Sequence, residues 1–301
     1  MSASATAFPP APATEHVILL HGLCRTRRSM EPMAKALRGA GYMVHNIDYP
    51  SRTAPIEALA GPAIAPAVVA CERTGAARIH FVTHSLGGIL VRQYLATHRV
   101  PHLGRVVMLG PPNQGSEVVD RLGGWWLFRR LNGPAGSQLG TSPDSVPNRL
   151  GPVSCPVGVI AGDRSINWIN SLLIPGANDG KVAVARTRVA GLADHFVVSC
   201  SHPFLMRDRT AIRQTLAFLR EGHFHFHLPA GRSAPTGPNR DASPQDSEEK
   251  TCTAWPERVV RADSSQVIAR WRWRAAAPRS ATSRPRSMPP SCCRPTPGPS
   301  G

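Results

Sequence analysis

The stretch that constrains this chain most is residues 79–88, Ile-His-Phe-Val-Thr-His-Ser-Leu-Gly-Gly. Ile79 to Val82 has strand character, and Ile89 to Leu95 has the apolar spacing of a helix. Ser85 sits at the sharp turn between them. Such a turn lifts a serine hydroxyl above the sheet and aims it at the positive end of the helix that follows. Strand and helix backbones approach closely there, so small residues are needed, and Gly87 and Gly88 supply them on the far side. On the near side, two residues before the serine, Thr83 stands where a glycine is usual. The competing reading of Ser85 is an ordinary helix N-cap. The rest of the chain has to decide.

Taken in order, residues 1–14 read as a loose Ala/Ser/Pro leader. His16-Val17-Ile18-Leu19-Leu20 is a continuous apolar run, the mark of a strand buried on both faces, and it ends in His21-Gly22-Leu23-Cys24. A helix is predicted from about Ser29 to Arg38, stopped by Gly39 and Gly41, then a strand over Tyr42 to Tyr49 closed by Pro50. Residues 55–74 have helical character but carry Pro55, Pro62 and Pro66, which predicts a helix that starts late or is kinked. Arg105 to Gly110 is a further buried strand, followed by Pro111-Pro112-Asn113-Gln114-Gly115-Ser116. Pro156 to Gly162 is a fifth strand, ending at Asp163. A loop then leads to Asn178-Asp179-Gly180-Lys181-Val182. His195 to Cys200 is a short apolar run before Ser201-His202-Pro203-Phe204-Leu205, and a last helix is predicted over about Phe204 to Arg220.

Strands alternating with helices, and apolar throughout, mean an α/β chain with a mostly parallel sheet covered on both faces. Ligands gather at the carboxyl ends of such strands, the edge that carries His21-Gly22, Ser85 and the Pro-Pro-Asn segment. Residues 117–152 interrupt the rhythm with Gly123-Gly124-Trp125-Trp126-Leu127-Phe128 and a stretch rich in glycine and proline. They read either as a capping excursion that buries its own aromatics or as a lid and pocket wall made by Trp125, Trp126 and Phe128.

The formal charge of +16 comes almost wholly from scattered arginines, since lysine occurs only at 35, 181 and 250. That pattern is a composition bias rather than a nucleic-acid footprint, and no nucleic-acid partner is expected. The seven cysteines are odd in number, irregularly spaced and free of C-x-x-C pairs, so neither a disulfide framework nor a structural metal is expected. With no secretory leader and no apolar run of spanning length, a soluble cytoplasmic protein is the expectation. Residues 222–301 are rich in Pro, Ser, Arg and Ala, a disordered composition. Within them Arg270-Trp271-Arg272-Trp273-Arg274 is a feature that suggests transient contact with a membrane or a nucleic acid, though a solvated tail is the simpler reading. His223, His225 and His227 alternate like metal ligands on a strand, but without an acidic or cysteine partner nearby no metal is assigned.

A serine hydroxyl is a poor nucleophile at neutral pH. It needs a general base, the base needs an anion to hold its tautomer, and the anionic intermediate needs N–H donors. Candidates for each stand in the chain order Ser, Asp, His. For the carboxylate, Asp179 in a tight Asx-Gly turn competes with Asp163, directly after a strand. For the base, His202 at the end of the last apolar run competes with His195 at its start. His84 and His21 read as structural, and Cys24 as a small packed side chain.

These segments together resemble the α/β-hydrolase superfamily, in particular small bacterial lipases and esterases, over residues 15–221 with 117–152 as an insertion. The resemblance implies an α/β-hydrolase fold and a serine hydrolase acting on carboxylic esters, small-molecule or lipid, with no cofactor. It implies Ser85 as nucleophile, Asp179 as the orienting carboxylate and His202 as base and acid. The oxyanion would be held by the backbone N–H groups of Leu86 and Leu23. An acyltransferase with the same three residues, or a silent binding protein on the same fold, are the alternatives it leaves.

Overall fold

A computed structural model describes residues 14–166 and 173–225. These lie in the first of two compact units, Met1–Ala234; the second, Pro235–Gly301, falls outside the described residues, as do His227, the Arg270 to Arg274 run and all but Thr14 of the expected leader.

Six strands form one sheet: β1 (Glu15–Leu20), β2 (Met43–Ile47), β3 (Arg78–His84), β4 (Leu103–Leu109), β5 (Val157–Gly162) and β6 (Asp194–Val198). Their order is β2-β1-β3-β4-β5-β6, and every pairing is parallel. The helices are α1 (Glu31–Gly39), α2 (Ile56–Arg73), α3 (Leu86–Thr97), α4 (Glu117–Leu122), α5 (Trp126–Ser137), α6 (Val146–Arg149) and α7 (Arg209–Glu221). Alternation along each strand sorts the core into two layers. Ile18, Leu20, Ile79, Phe81, Met108 and Val159 face α2 and α3. Val17, Leu19, Val82, Val107 and Ile160 face α1 and α7. Each such side chain, fully buried, contributes about 1.5–3 kcal/mol of transfer free energy.

Helix α2 departs from expectation. It begins at Ile56, directly after Pro55, and is continuous to Arg73 through Pro62 and Pro66. Both prolines are on its exposed side, where the carbonyls they leave without donors face water, while Leu59, Ile64, Val68 and Cys71 bury the other side. Packing of that stripe outweighs an intrinsic cost of about 3 kcal/mol per interior proline. The last predicted helix is two elements: a 3-10 turn over His202–Arg207, then α7. Asp208 separates them with extended backbone (ψ 130°), and its side chain accepts from Ala211 N–H at 2.8 Å, an N-cap.

The packed body also runs past residue 221. Phe224 is buried against Phe218 and Phe196, and the Phe224 N–H donates to Asp194 Oδ2 at 2.7 Å. No helix among the described residues is long and apolar enough to cross a membrane.

Candidate active site

Ser85 stands between β3 and α3 with φ 52° and ψ −120°, left-handed backbone on a non-glycine residue. Strain of this kind costs on the order of 1–3 kcal/mol and persists only where surrounding packing enforces it. An N-cap serine would have extended backbone, so the cap reading of Ser85 does not describe this turn. Thr83 fits where glycine is usual: it is fully buried, its hydroxyl donates to the Val107 carbonyl at 3.4 Å, and residue 88 across from it is a glycine. Leu86 is the first residue of α3, so its N–H has no acceptor within the helix. The turn after β1 lies directly against this elbow: a Cβ on Gly22 would come within 3.1 Å of Ser85 Cβ. Leu23, the next residue in that turn, lines the same cavity as Ser85.

Asp179 and His202 come from loops after β5 and β6, and both are buried. Their side chains meet at 2.6 Å, His202 Nδ1 to Asp179 Oδ2. A second bond joins their backbones, with His202 N–H donating to the Asp179 carbonyl at 3.0 Å. The other carboxylate oxygen, Oδ1, accepts from Lys181 N–H at 3.0 Å and Val182 N–H at 2.9 Å. Three donors on one carboxylate fix its plane. An imidazole held this way carries its proton on Nδ1 and leaves Nε2 free to accept one.

The segment 111–116 braces this loop. Ser116 Oγ donates to the Lys181 carbonyl at 2.6 Å, and Asn113 Nδ2 to the Thr187 carbonyl at 2.8 Å. Arg92, buried on α3, donates to both the carbonyl and the side-chain oxygen of Asn113, and to the carbonyls of Pro147 and Gly151. Burial pulls the Arg92 guanidinium down to about 10.

A cavity of about 230 Å³ brings Ser85, His202, Asp179 and Leu23 together. Its apolar wall includes Val118, Val119, Phe128, Leu139 and Ile166. Phe128 therefore faces the cavity, whereas Trp125 and Trp126, grouped with it on sequence, are 66% and 74% exposed and are not part of the lining. The insertion does not bury its own tryptophans. It consists of α4, α5 and α6, with α5 broken at Gly133 (φ 68°).

The competing residues lie elsewhere. Asp163 pairs with Arg164 at 3.7 Å, and His195, within β6, bonds Thr187 Oγ1 at 2.8 Å; neither lines the cavity. His21 anchors its turn: its ring stacks on Tyr49 at 4.1 Å, and the Tyr49 hydroxyl donates to the His21 carbonyl at 2.5 Å. Cys24 is not packed away as the sequence suggests. It is exposed, with φ 57°, and its thiol donates to the Leu131 carbonyl on α5 at 3.3 Å.

Two residues near the pair were not assigned to the site from sequence. The fully buried His84 places Nε2 3.0 Å from the His202 carbonyl, so that nitrogen carries the proton, and the rings tilt together at 4.8 Å. Burial holds His84 far below the ordinary histidine range, with the neighbouring His202 adding to the effect. Gly110, after β4, has φ 54°, and a Cβ there would lie 3.0 Å from Asp179 Oδ2 and 3.1 Å from His202 Nδ1. The signal for it was its place at the end of a strand on the active edge.

Among the described residues, two groups bring three ligand atoms within 4.8 Å of one another: Glu221, His223 and His225, all at the surface or half-buried, and His16, His45 and Cys71. The first supplies the acidic partner not expected from sequence, since Glu221 Oε2 pairs with His225 at 2.8 Å and His223 at 3.3 Å. Neither group lines the cavity.

A family model described as alpha/beta hydrolase fold matches residues 15–141. Among solved structures, the mature form of the Bacillus licheniformis lipase BlEst2 superposes with a TM-score of 0.56 at 19% identity, covering 70% of this chain and 94% of the lipase. Phospholipase PlaB from Legionella pneumophila, in complex with thio-NAD, gives 0.53 at 19% identity over 67% of this chain and 56% of that one. The metagenomic carboxyl esterase MGS0156 gives 0.52 at 16% identity over 66% and 67%. No curated protein matches the chain. The chain has the α/β-hydrolase fold, built on an all-parallel six-stranded sheet, and in that fold it resembles bacterial lipases and esterases.

Proposed function

We propose that this protein is a serine hydrolase that cleaves carboxylic esters through an acyl-enzyme. The observation that carries the reading is the Asp179–His202 contact of 2.6 Å opening onto the same cavity as the strained Ser85. Ser85 Oγ attacks the ester carbonyl while His202 Nε2 takes its proton. The N–H groups of Leu86 and Leu23 receive the oxyanion, a contribution worth about 3–4 kcal/mol for a single donor in related chemistry. His202 then protonates the departing alcohol. In the second half it activates a water that releases the acid and restores Ser85. Asp179 holds the tautomer throughout and steadies the imidazolium.

The acyl group is apolar, because Val118, Val119, Phe128, Leu139 and Ile166 form the wall it would lie against. The exposed Trp125 and Trp126 support delivery of that substrate from a lipid surface, where indole rings are favoured. The names of the structural neighbours, a lipase, a phospholipase and a carboxyl esterase, agree with an ester as substrate class.

Hydrolysis of p-nitrophenyl esters of increasing acyl length tests this. The expected result is turnover in the wild type and a loss of about 10⁶-fold in kcat on Ser85→Ala, with an unchanged circular dichroism spectrum. Undiminished hydrolysis by Ser85→Ala, or failure of a fluorophosphonate probe to label Ser85, would overturn it.

A further inference from the structure

We propose that His16, His45 and Cys71 form a binding site for a divalent transition-metal ion of the Zn²⁺ class, at the end of the sheet opposite Ser85. His16 is at the start of β1, His45 is in the edge strand β2, and Cys71 is in the last turn of α2, which covers this face. His16 Nδ1 and His45 Nε2 are 3.0 Å apart. The ring centroids are 5.2 Å apart and the planes differ by 17°. A centroid separation exceeding the nitrogen contact by about two ring radii means the rings lie nearly coplanar and head to head. The two facing nitrogens share one hydrogen, and a ring nitrogen of each histidine and the Cys71 sulfur lie within 4.8 Å of one another.

Tetrahedral zinc with metal–nitrogen bonds near 2.0–2.1 Å separates its nitrogens by about 3.3 Å, so the imidazoles part by a few tenths of an ångström and tilt so that both lone pairs turn toward the sulfur side. Two imidazoles and one thiolate suit Zn²⁺ or Co²⁺ and not Mg²⁺ or Ca²⁺, which take oxygen donors. The half-exposed His45 provides the way in, and a solvent molecule completes the fourth position.

Binding releases one proton. The thiol gives up its hydrogen to become the ligand, and the N–H shared between the rings moves to the outer nitrogen of its own imidazole. Because that proton leaves on binding, occupancy falls as the pH drops. The ion would pin the edge strand β2 to β1 and α2, and would raise stability by mass action because the unfolded chain has no such cluster.

The test uses the full chain, reduced and stripped with a chelator, carrying His223→Ala and His225→Ala so that the Glu221 cluster is silent. Co²⁺ titration is expected to give a thiolate-to-metal charge-transfer band saturating at one equivalent, displaced by Zn²⁺, with a rise in Tm of several degrees on adding Zn²⁺. Both the band and the rise should vanish in His45→Ala and in Cys71→Ala. His45→Ala is a half-exposed edge-strand change that should fold, and it decides the matter alone if Cys71→Ala does not. Absence of the band in the parent, or its persistence in His45→Ala, overturns the site.

Discussion

Gly110 shows how narrowly the Asp179–His202 pair is packed. Its backbone is left-handed and its Cα faces both partners, so Gly110→Ala adds backbone strain and drives a methyl group against the carboxylate and the imidazole. A displacement near 1 Å at a reacting group costs about 10²-fold in rate. Gly110→Ala is therefore expected to lower kcat about 10²-fold while KM moves little, measured by steady-state ester hydrolysis. Residues of this kind mark the limit of sequence reading. Ser85, Asp179 and His202 could be singled out because each sits in a short pattern with a chemical reason for its neighbours. Gly110 and His84 carry their role in a dihedral angle and in a through-space contact over 118 positions, neither of which a linear pattern encodes.

At the scale of elements, the buried Arg92 ties α3 to the loop after β4 and to α6 through four bonds. Removing the guanidinium leaves those oxygens, most of them buried, without a donor. Arg92→Ala should lower stability by about 3 kcal/mol, a Tm drop of roughly 6–12 °C for a body of this size, measured by calorimetry. The alternation of strands and helices was legible because apolar runs and glycine or proline stops are local. Helix α2 was misjudged because proline reports a cost, while its offset comes from a packed stripe whose partners lie on β1 and β3. The ends of the last helix were misplaced for a related reason: Asp208 acts as a cap only once the chain ahead of it is extended.

For the molecule as a whole, acid is the informative stress. Burial, reinforced by nearby arginines, brings His80 and His195 down to about 4, and His84 is also held low. Their unfolded values lie near 6.5. Between these limits the unfolded chain binds more protons than the folded one, so stability falls as the pH drops from 6.5 toward 4. The slope is at most about 1.4 kcal/mol per pH unit for each histidine, and less for the part-exposed His195. Urea midpoints measured from pH 7 to pH 4 should trace that decline, and His80→Gln should flatten it. Chain length offers a second check. Ending the chain after Glu221 removes Phe224 from the core and should cost about 3–5 kcal/mol, whereas ending it after His227 should leave ester hydrolysis intact.

The double link between Asp179 and His202, side chain to side chain and amide to carbonyl, has a mechanical meaning. Asp179 and His202 move as one piece, and Ser85 belongs to another, the elbow of β3 and α3. The bond from His84 to the His202 carbonyl links the two pieces directly, reaching from the residue beside Ser85 to the backbone of His202, and the path through Arg92, Asn113 and Thr187 links them from the other side. Under the proposed mechanism a few such links between two stiff parts keep the alignment, and loosening them would part Ser85 from His202 while both halves kept their shape.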